Sequence, residues 1–189
     1  NLKKNNIMYK TFPKVSEIVS KDKLRPSMAY AVVLDNKLIA TDSHCMIMLK
    51  TSTLVPNAEQ EQNISGKVFS RDLLLLLQKA KRLIFLKDKI SVDGVLMDYS
   101  GTIDTDRKIY LGGSIYHDFC YVNYSDVIPK NPTELESIKF DPKLLGKILD
   151  CFSSTTVEIK FFGKGRAMMV YNPLDANQTA LCMPSLKAI

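Results

Sequence analysis

The sequence predicts an α+β fold with antiparallel sheets and few, short helices. Three observations carry this: β-rich runs bounded by turn signals outnumber amphipathic stretches, two long segments repeat one strand-helix-strands plan, and 46% of the 189 residues are hydrophobic, enough to bury a core without a covalent staple.

The repeated segments are "KVFSRDLLLLLQKAKRLIFLKDKISVDG" and "IKFDPKLLGKILDCFSSTTVEIKFFGKG", offset by 71 residues. In each, a short strand ends at Phe69 or Phe140, Ser70 or Asp141 is a suitable N-cap, and Leu73-Leu74 or Leu144-Leu145 begins a buried helical face. Pro142 suits the first helical position, where its missing N–H costs nothing. The same helix should bury Leu145, Leu149 and Phe152 and turn Lys143 and Lys147 to the opposite face. The β-rich runs "LIFLKDKISV" and "VEIKFF" follow the two helices.

A degenerate third copy comes first: "IMYKTF" as strand, "PKVSEIVS" as short helix, "MAYAVVLDNKLIATD" as two strands across a turn at Asp35-Asn36, then "HCMIML" as strand. The units cover 7–55, 64–128 and 137–186, and the Pro-rich polar segment "VIPKNPTELES" links the second to the third. Units this short share sheets and cores with their neighbours.

No window approaches the run of apolar residues needed to cross a bilayer, and the basic start "NLKKNNIMYK" lacks a following apolar signal region. A soluble, unexported protein is expected. Cys45, Cys120, Cys151 and Cys182 are scattered singly, without the spacing of a disulfide framework, which points to a reducing cytoplasm. The net charge of +6 favours polyanionic partners without the density of a basic tail.

"TDSHCMIML" sets Asp42, His44 and Cys45 side by side, the residue types of an activated nucleophile. In a strand, however, adjacent side chains point to opposite faces, so His44 cannot readily serve as base for Cys45. A metal set of His44, Cys45, His117 and Cys120 has useful local spacing only in "HDFC". "LGGS" at 111–114 lacks the Lys and helix of a phosphate loop, and "DTD" at 104–106 reads as a solvated hairpin turn. Neither an enzyme nor a cofactor or metal site is indicated. Basic groups recur near the helices: Lys21, Lys23 and Arg25; Arg71, Lys79, Lys81 and Arg82; Lys143 and Lys147. Two readings are open, a surface that tracks phosphates and ordinary solvated faces.

The order of several motifs resembles the bacterial DNA polymerase III β sliding clamp family. "RPSMAYAVV" followed by "ATDSHCMIML" is similar to the clamp's middle domain, where a "TDGHRL"-type segment follows a strand pair; "KVFSRDLLLLLQKA" resembles that domain's second unit. "CYVNYSDVIPKNP" resembles the closing strand and linker, and "FDPKLLGKILDCFSSTTVEIKFF" with "ALCMPSLK" the second half of the last domain and its tail. The resemblance implies a DNA-clamp fold with antiparallel sheets outside and short helices on the inner face. It divides the chain into a clamp-like domain at 1–129, a linker at 130–136 and a half domain at 137–189, with the family's first domain absent.

The resemblance also implies a site. The family holds short linear motifs of polymerases and other replication or repair proteins in an apolar pocket between its middle and last domains. Carried over by position, its wall is Met28, Thr41, Ser43, His44, Cys45, Met46, Val122, Val127, Leu181, Cys182, Met183 and Pro184. Ser43 and Cys45 stand where the family has Gly and Arg, and Ser185 and Leu186 replace Met and Arg in the tail. For non-specific contact with double-stranded DNA, the family's positions fall on Arg25, Arg71, Lys143 and Lys147. The expected protein is therefore a non-enzymatic replication or repair accessory factor, a homo-oligomer if it closes a ring, with no membrane partner. The alternative is a clamp-fold adaptor that does not encircle DNA and competes for clamp partners.

Overall fold

The computed structural model describes residues 12–22, 24–112, 120–128, 138–163 and 165–185. The expected strand at 7–12 except Phe12, the linker at 130–136 and His117 lie outside them.

β1 (Tyr30–Leu34) and β2 (Lys37–Thr41) form the expected hairpin, with Leu34 opposite Lys37. Asp35 (φ +50°) and Asn36 (φ +56°) both take the left-handed conformation that a tight two-residue turn requires and that Asp and Asn tolerate. β3 (Cys45–Lys50) follows. Two short helices then occupy a stretch for which no element was expected, α1 (Thr51–Leu54) and α2 (Ala58–Ile64). The available signal was Asn57, an N-cap whose side chain accepts from the Gln60 N–H at 2.9 Å.

The second unit follows its plan. β4 (Lys67–Ser70) leads into α3 (Arg71–Lys79), capped by Ser70 accepting from the Leu73 N–H. After α3 come β5 (Leu83–Phe85), β6 (Lys89–Val92), β7 (Val95–Asp98), β8 (Gly101–Ile103) and β9 (Ile109–Leu111). The "DTD" turn joins β8 to β9, where the Asp104 carboxylate accepts from the Lys108 N–H and the Tyr110 hydroxyl. Gly101 is obligatory in β8, because a Cβ there would lie 2.2 Å from the Tyr110 carbonyl oxygen. The expected closing strand shrinks to a single bridge between Cys120 and Lys108, followed by one turn of helix, α4 (Tyr124–Val127).

In the third unit α5 (Pro142–Leu149) starts at Pro142 with the Asp141 carboxylate accepting from the Lys143 N–H, and β10 (Glu158–Lys160), β11 (Met168–Asn172) and β12 (Asp175–Cys182) complete it. Three local expectations are corrected. Residues 138–140 are not a strand, although Lys139 O accepts from the Ser185 N–H and Phe140 packs on Phe161. In α5 the face turned to the core centres on Ile148, flanked by Leu144, Leu145, Cys151 and Phe152, while Leu149 is exposed. "PKVSEIVS" makes one 3₁₀ turn at Val15–Glu17, because Lys14 supplies no capping side chain and Val15, Ile18 and Val19 are β-branched.

The described strands form an antiparallel nine-stranded sheet, in the order β10-β11-β12-β3-β2-β1-β4-β8-β9, and a three-stranded sheet β5-β6-β7. The large sheet buries both faces. Ala31, Val33, Leu38, Ala40, Ile47, Leu49, Val170 and Ala180 face a core filled by α1, α2, α3, α5, the Val15–Glu17 turn and β5 and β6 of the small sheet. Their neighbours Val32, Ile39, Met46, Met48 and Leu181 point the other way, against Tyr121 and Tyr124. Period-two alternation with both faces covered explains why these strands read as continuous apolar runs. The third unit joins the first through β12 and β3, where Leu181 pairs with Met46 and Cys182 with Cys45.

Candidate functional site

β2 ends at Thr41 and β3 begins at Cys45, so Asp42, Ser43 and His44 form a turn. Simple strand alternation, which separates Asp42 from Cys45, does not apply there. Instead Asp42 Oδ1 accepts from the His44 N–H (2.9 Å), the Cys45 N–H (2.9 Å) and the Cys45 thiol (3.3 Å). Thr41 Oγ1 donates to Cys45 O at 2.8 Å and accepts from the Ser43 N–H at 3.2 Å. Ser43 has a φ of +76°, the left-handed region favoured by the glycine of the resembled motif.

Two outside cations hold this turn. Arg25 Nη1 donates to Ser43 Oγ, and Lys147 Nζ of α5 lies 4.0 Å from Asp42 Oδ2. At the exit His44 O accepts from the Met183 N–H (2.8 Å), tying the turn to the end of β12.

Beside the turn opens an apolar cavity of about 260 Å³. Its wall brings together Met28, Thr41, Ser43, His44, Cys45, Met46, Val122, Val127, Leu181 and Met183. Cys182 and Pro184 do not line it. Along β12 Leu181 faces the cavity side, so Cys182 points into the helix-side core, where it is fully buried. Ala167, which no motif singled out, does line the cavity. Its place depends on the pairing of β11 with β12, in which Met168 meets Cys182, a long-range register that no local pattern encodes.

The segment carrying Val122 and Val127 is pinned by two tyrosines. Tyr121 is fully buried and donates to Ile39 O at 3.2 Å, and Tyr124 donates to Asp35 Oδ2 at 2.6 Å. Val127 and Met183 remain partly exposed at the mouth.

The chemistry available here is that of holding. Burial first, and then the Asp42 carboxylate, push the Cys45 thiol far above the ordinary cysteine range, the reverse of an activated nucleophile. Among the described residues no group of three or more His, Cys, Asp or Glu side chains is placed to hold a metal ion.

Of the four residues expected to meet DNA, three have acidic partners. Arg25 lies 3.6 Å from Asp22, Arg71 lies 3.5 Å from Glu17, and Lys147 is on Asp42. Lys143 is exposed on the first turn of α5. Arg25 and Lys147 share a charged cleft of about 270 Å³ with Glu17, Lys21, Asp22 and Asp42. His44 lines both this cleft and the apolar cavity.

This mixed α+β chain, with antiparallel sheets and short helices, has the sliding-clamp fold: it is similar in structure to solved bacterial DNA polymerase III β clamps. The DNA polymerase sliding clamp of Bacillus subtilis aligns with a TM-score of 0.61 at 13% identity, over 100% of this chain and 66% of that one. The β sliding clamp of Caulobacter crescentus gives 0.61 at 12% identity, over 99% and 68%. DNA polymerase III subunit β of Borrelia burgdorferi, solved with a natural product, gives 0.59 at 14% identity, over 96% and 64%. The likeness is thus one of fold, and the chain spans about two thirds of the length of these clamps. No protein-family model matches the sequence, and no curated protein matches it.

Proposed function

We propose that this protein is a sliding-clamp-type accessory factor of DNA replication or repair, which captures short linear motifs of polymerase-type partners in the apolar cavity and contacts double-stranded DNA without sequence preference. It acts by binding, without catalysing a reaction, in the cytoplasm. The observation that carries this is the cavity. Residues distant in sequence, Met28, Met46, Val127, Leu181 and Met183, converge on one open apolar concavity with a polar rim at Ser43 and His44. That is the form a linear-motif anchor needs: apolar walls for side chains and a few polar groups for register. The methionines keep the wall adaptable. In this reading the chain is a clamp-like domain of two units at 1–129, a linker at 130–136 and a half domain at 137–189.

The test is titration of a fluorescent peptide carrying a clamp-binding motif. Saturable binding that is lost in Met46→Glu and Met183→Glu is the expected result. No saturation, or binding indifferent to both substitutions, would refute the pocket.

A second reading is favoured by the ion pairs. With Arg25, Arg71 and Lys147 already facing carboxylates, the protein is a clamp-fold adaptor that competes for clamp partners without encircling DNA. Mass in solution separates the two, since a closed homo-oligomer supports the ring and a monomer the adaptor.

A further inference from the structure

Two of the four cations that the resemblance assigns to phosphate contact, Arg25 and Lys147, also brace the rim of the apolar cavity. Arg25 reaches Ser43 Oγ from the loop before β1, and Lys147 reaches Asp42 Oδ2 from α5. They come from separate elements and meet the turn in one cleft. Both side chains line the charged cleft and are partly open to solvent, 44% for Arg25 and 34% for Lys147. The turn they brace contains a non-glycine residue at φ +76°, a conformation that persists only when its surroundings over-determine it.

We propose that Arg25 and Lys147 are positioning residues shared between two occupants: they hold the pocket rim in shape, or they engage the phosphates of duplex DNA, and each use weakens the other. This rests on the peptide-pocket and DNA-contact readings above. A phosphate oxygen is a stronger acceptor for a guanidinium than a serine hydroxyl, and a phosphate run competes with the Asp42 carboxylate for an ammonium group. DNA that recruits the two cations takes bracing from Ser43 and Asp42. The wall formed by Thr41, Ser43, His44 and Cys45 then loses its preorganised shape, and peptide affinity falls. Linkage makes the effect reciprocal, so a peptide that fills the cavity and orders the rim weakens DNA binding by the same factor. Partner capture and DNA contact would therefore alternate on one molecule.

Exposed contacts of this kind set the size of the coupling at roughly three- to tenfold in Kd. The experiment measures the Kd of a fluorescent clamp-motif peptide by anisotropy at low salt, with and without saturating duplex DNA whose binding is followed through a second label. The expected result is a peptide Kd raised about three- to tenfold by the duplex. In the Arg25→Gln, Lys147→Gln double variant, the Kd is raised already without DNA and is insensitive to it. A peptide that never saturates removes the pocket reading itself and leaves nothing to couple. Saturable peptide binding with an unchanged or lower Kd on DNA overturns the coupling alone. So does an undiminished DNA effect in the double variant, whereas a duplex that fails to bind at low salt removes the DNA-contact reading and the coupling with it.

Discussion

Cys45 on β3 and Cys182 on β12 stand directly opposite each other, at a position where the flanking bond runs from the Met183 N–H to His44 O. This is a non-hydrogen-bonded pair, the arrangement that brings facing side chains closest. Both thiols point into the helix-side core, so the seam between the first and third units is closed by two small apolar groups behind the cavity wall.

The thiols give the first prediction. Burial pushes Cys182 up to about 11 and Cys151 up to about 12, and raises Cys45 further. Cys120 is exposed. A maleimide at pH 7.5 should modify Cys120 rapidly and the other three only after denaturation, as mass spectrometry of the labelled protein would show. Folded-state values above the unfolded one mean that stability is fully present below about pH 9 and declines as pH rises towards 12. Tyr124, raised to about 12, adds to the same trend. Urea midpoints recorded between pH 8 and 11 should fall with pH, and a flat profile would contradict these burials.

Ser43 yields a comparison of two substitutions. Ser43→Ala keeps the left-handed penalty and removes the oxygen that accepts from Arg25, so it should destabilise by about 1 kcal/mol. Ser43→Gly also removes the oxygen but relieves the φ of +76°, so its net effect should lie within about 1 kcal/mol of zero. Denaturant titration of the two variants checks the order; Gly below Ala would mean that backbone conformation is unimportant at this turn.

Asp42 separates capping from charge. Asp42→Asn retains an oxygen for the His44 and Cys45 N–H groups but gives up the ion pair with Lys147, a loss of at most about 1 kcal/mol for so long a contact. Asp42→Ala leaves those donors without their acceptor and should lose about 1–3 kcal/mol. Thermal melts of the pair test this, with equal losses counting against the capping role.

Ala167 tests the cavity without altering its charge. The residue is buried and lines the wall, and a larger side chain there would occupy the space a ligand needs. Ala167→Leu should leave the far-ultraviolet circular dichroism unchanged and weaken binding of a clamp-motif peptide at least tenfold, an effect of about 1.4 kcal/mol. Undiminished affinity in a folded variant would place the peptide elsewhere.

The elements easiest to read were those that carry their own chemistry. Ser70 and Asp141 are side-chain caps that act on N–H groups two or three residues away, and the Asp35-Asn36 turn needs only two residues that tolerate a positive φ. Helices α1 and α2 were missed because they are short and only Asn57 announces them. The buried face of α5 includes the expected Leu145 and Phe152 but centres on Ile148 and leaves Leu149 exposed. Leu149 continues the Leu145 stripe as regularly as Ile148 continues that of Leu144, and only packing against β3 and β12 puts Ile148 inside and Leu149 outside.

By itself, then, the sequence determined the β1–β2 hairpin and its turn, helices α3 and α5 with their caps, and the supply of apolar residues on both faces of the central strands. Motif order added which residues belong near a pocket. Tertiary structure alone decided that β12 pairs with β3, that Ala167 joins the cavity wall while Cys182 turns away from it, and that Arg25 and Lys147 end on Ser43 and Asp42. The physical reason is range. Caps and turns are settled within four or five residues, whereas sheet register and ion pairing depend on which distant surfaces bury each other.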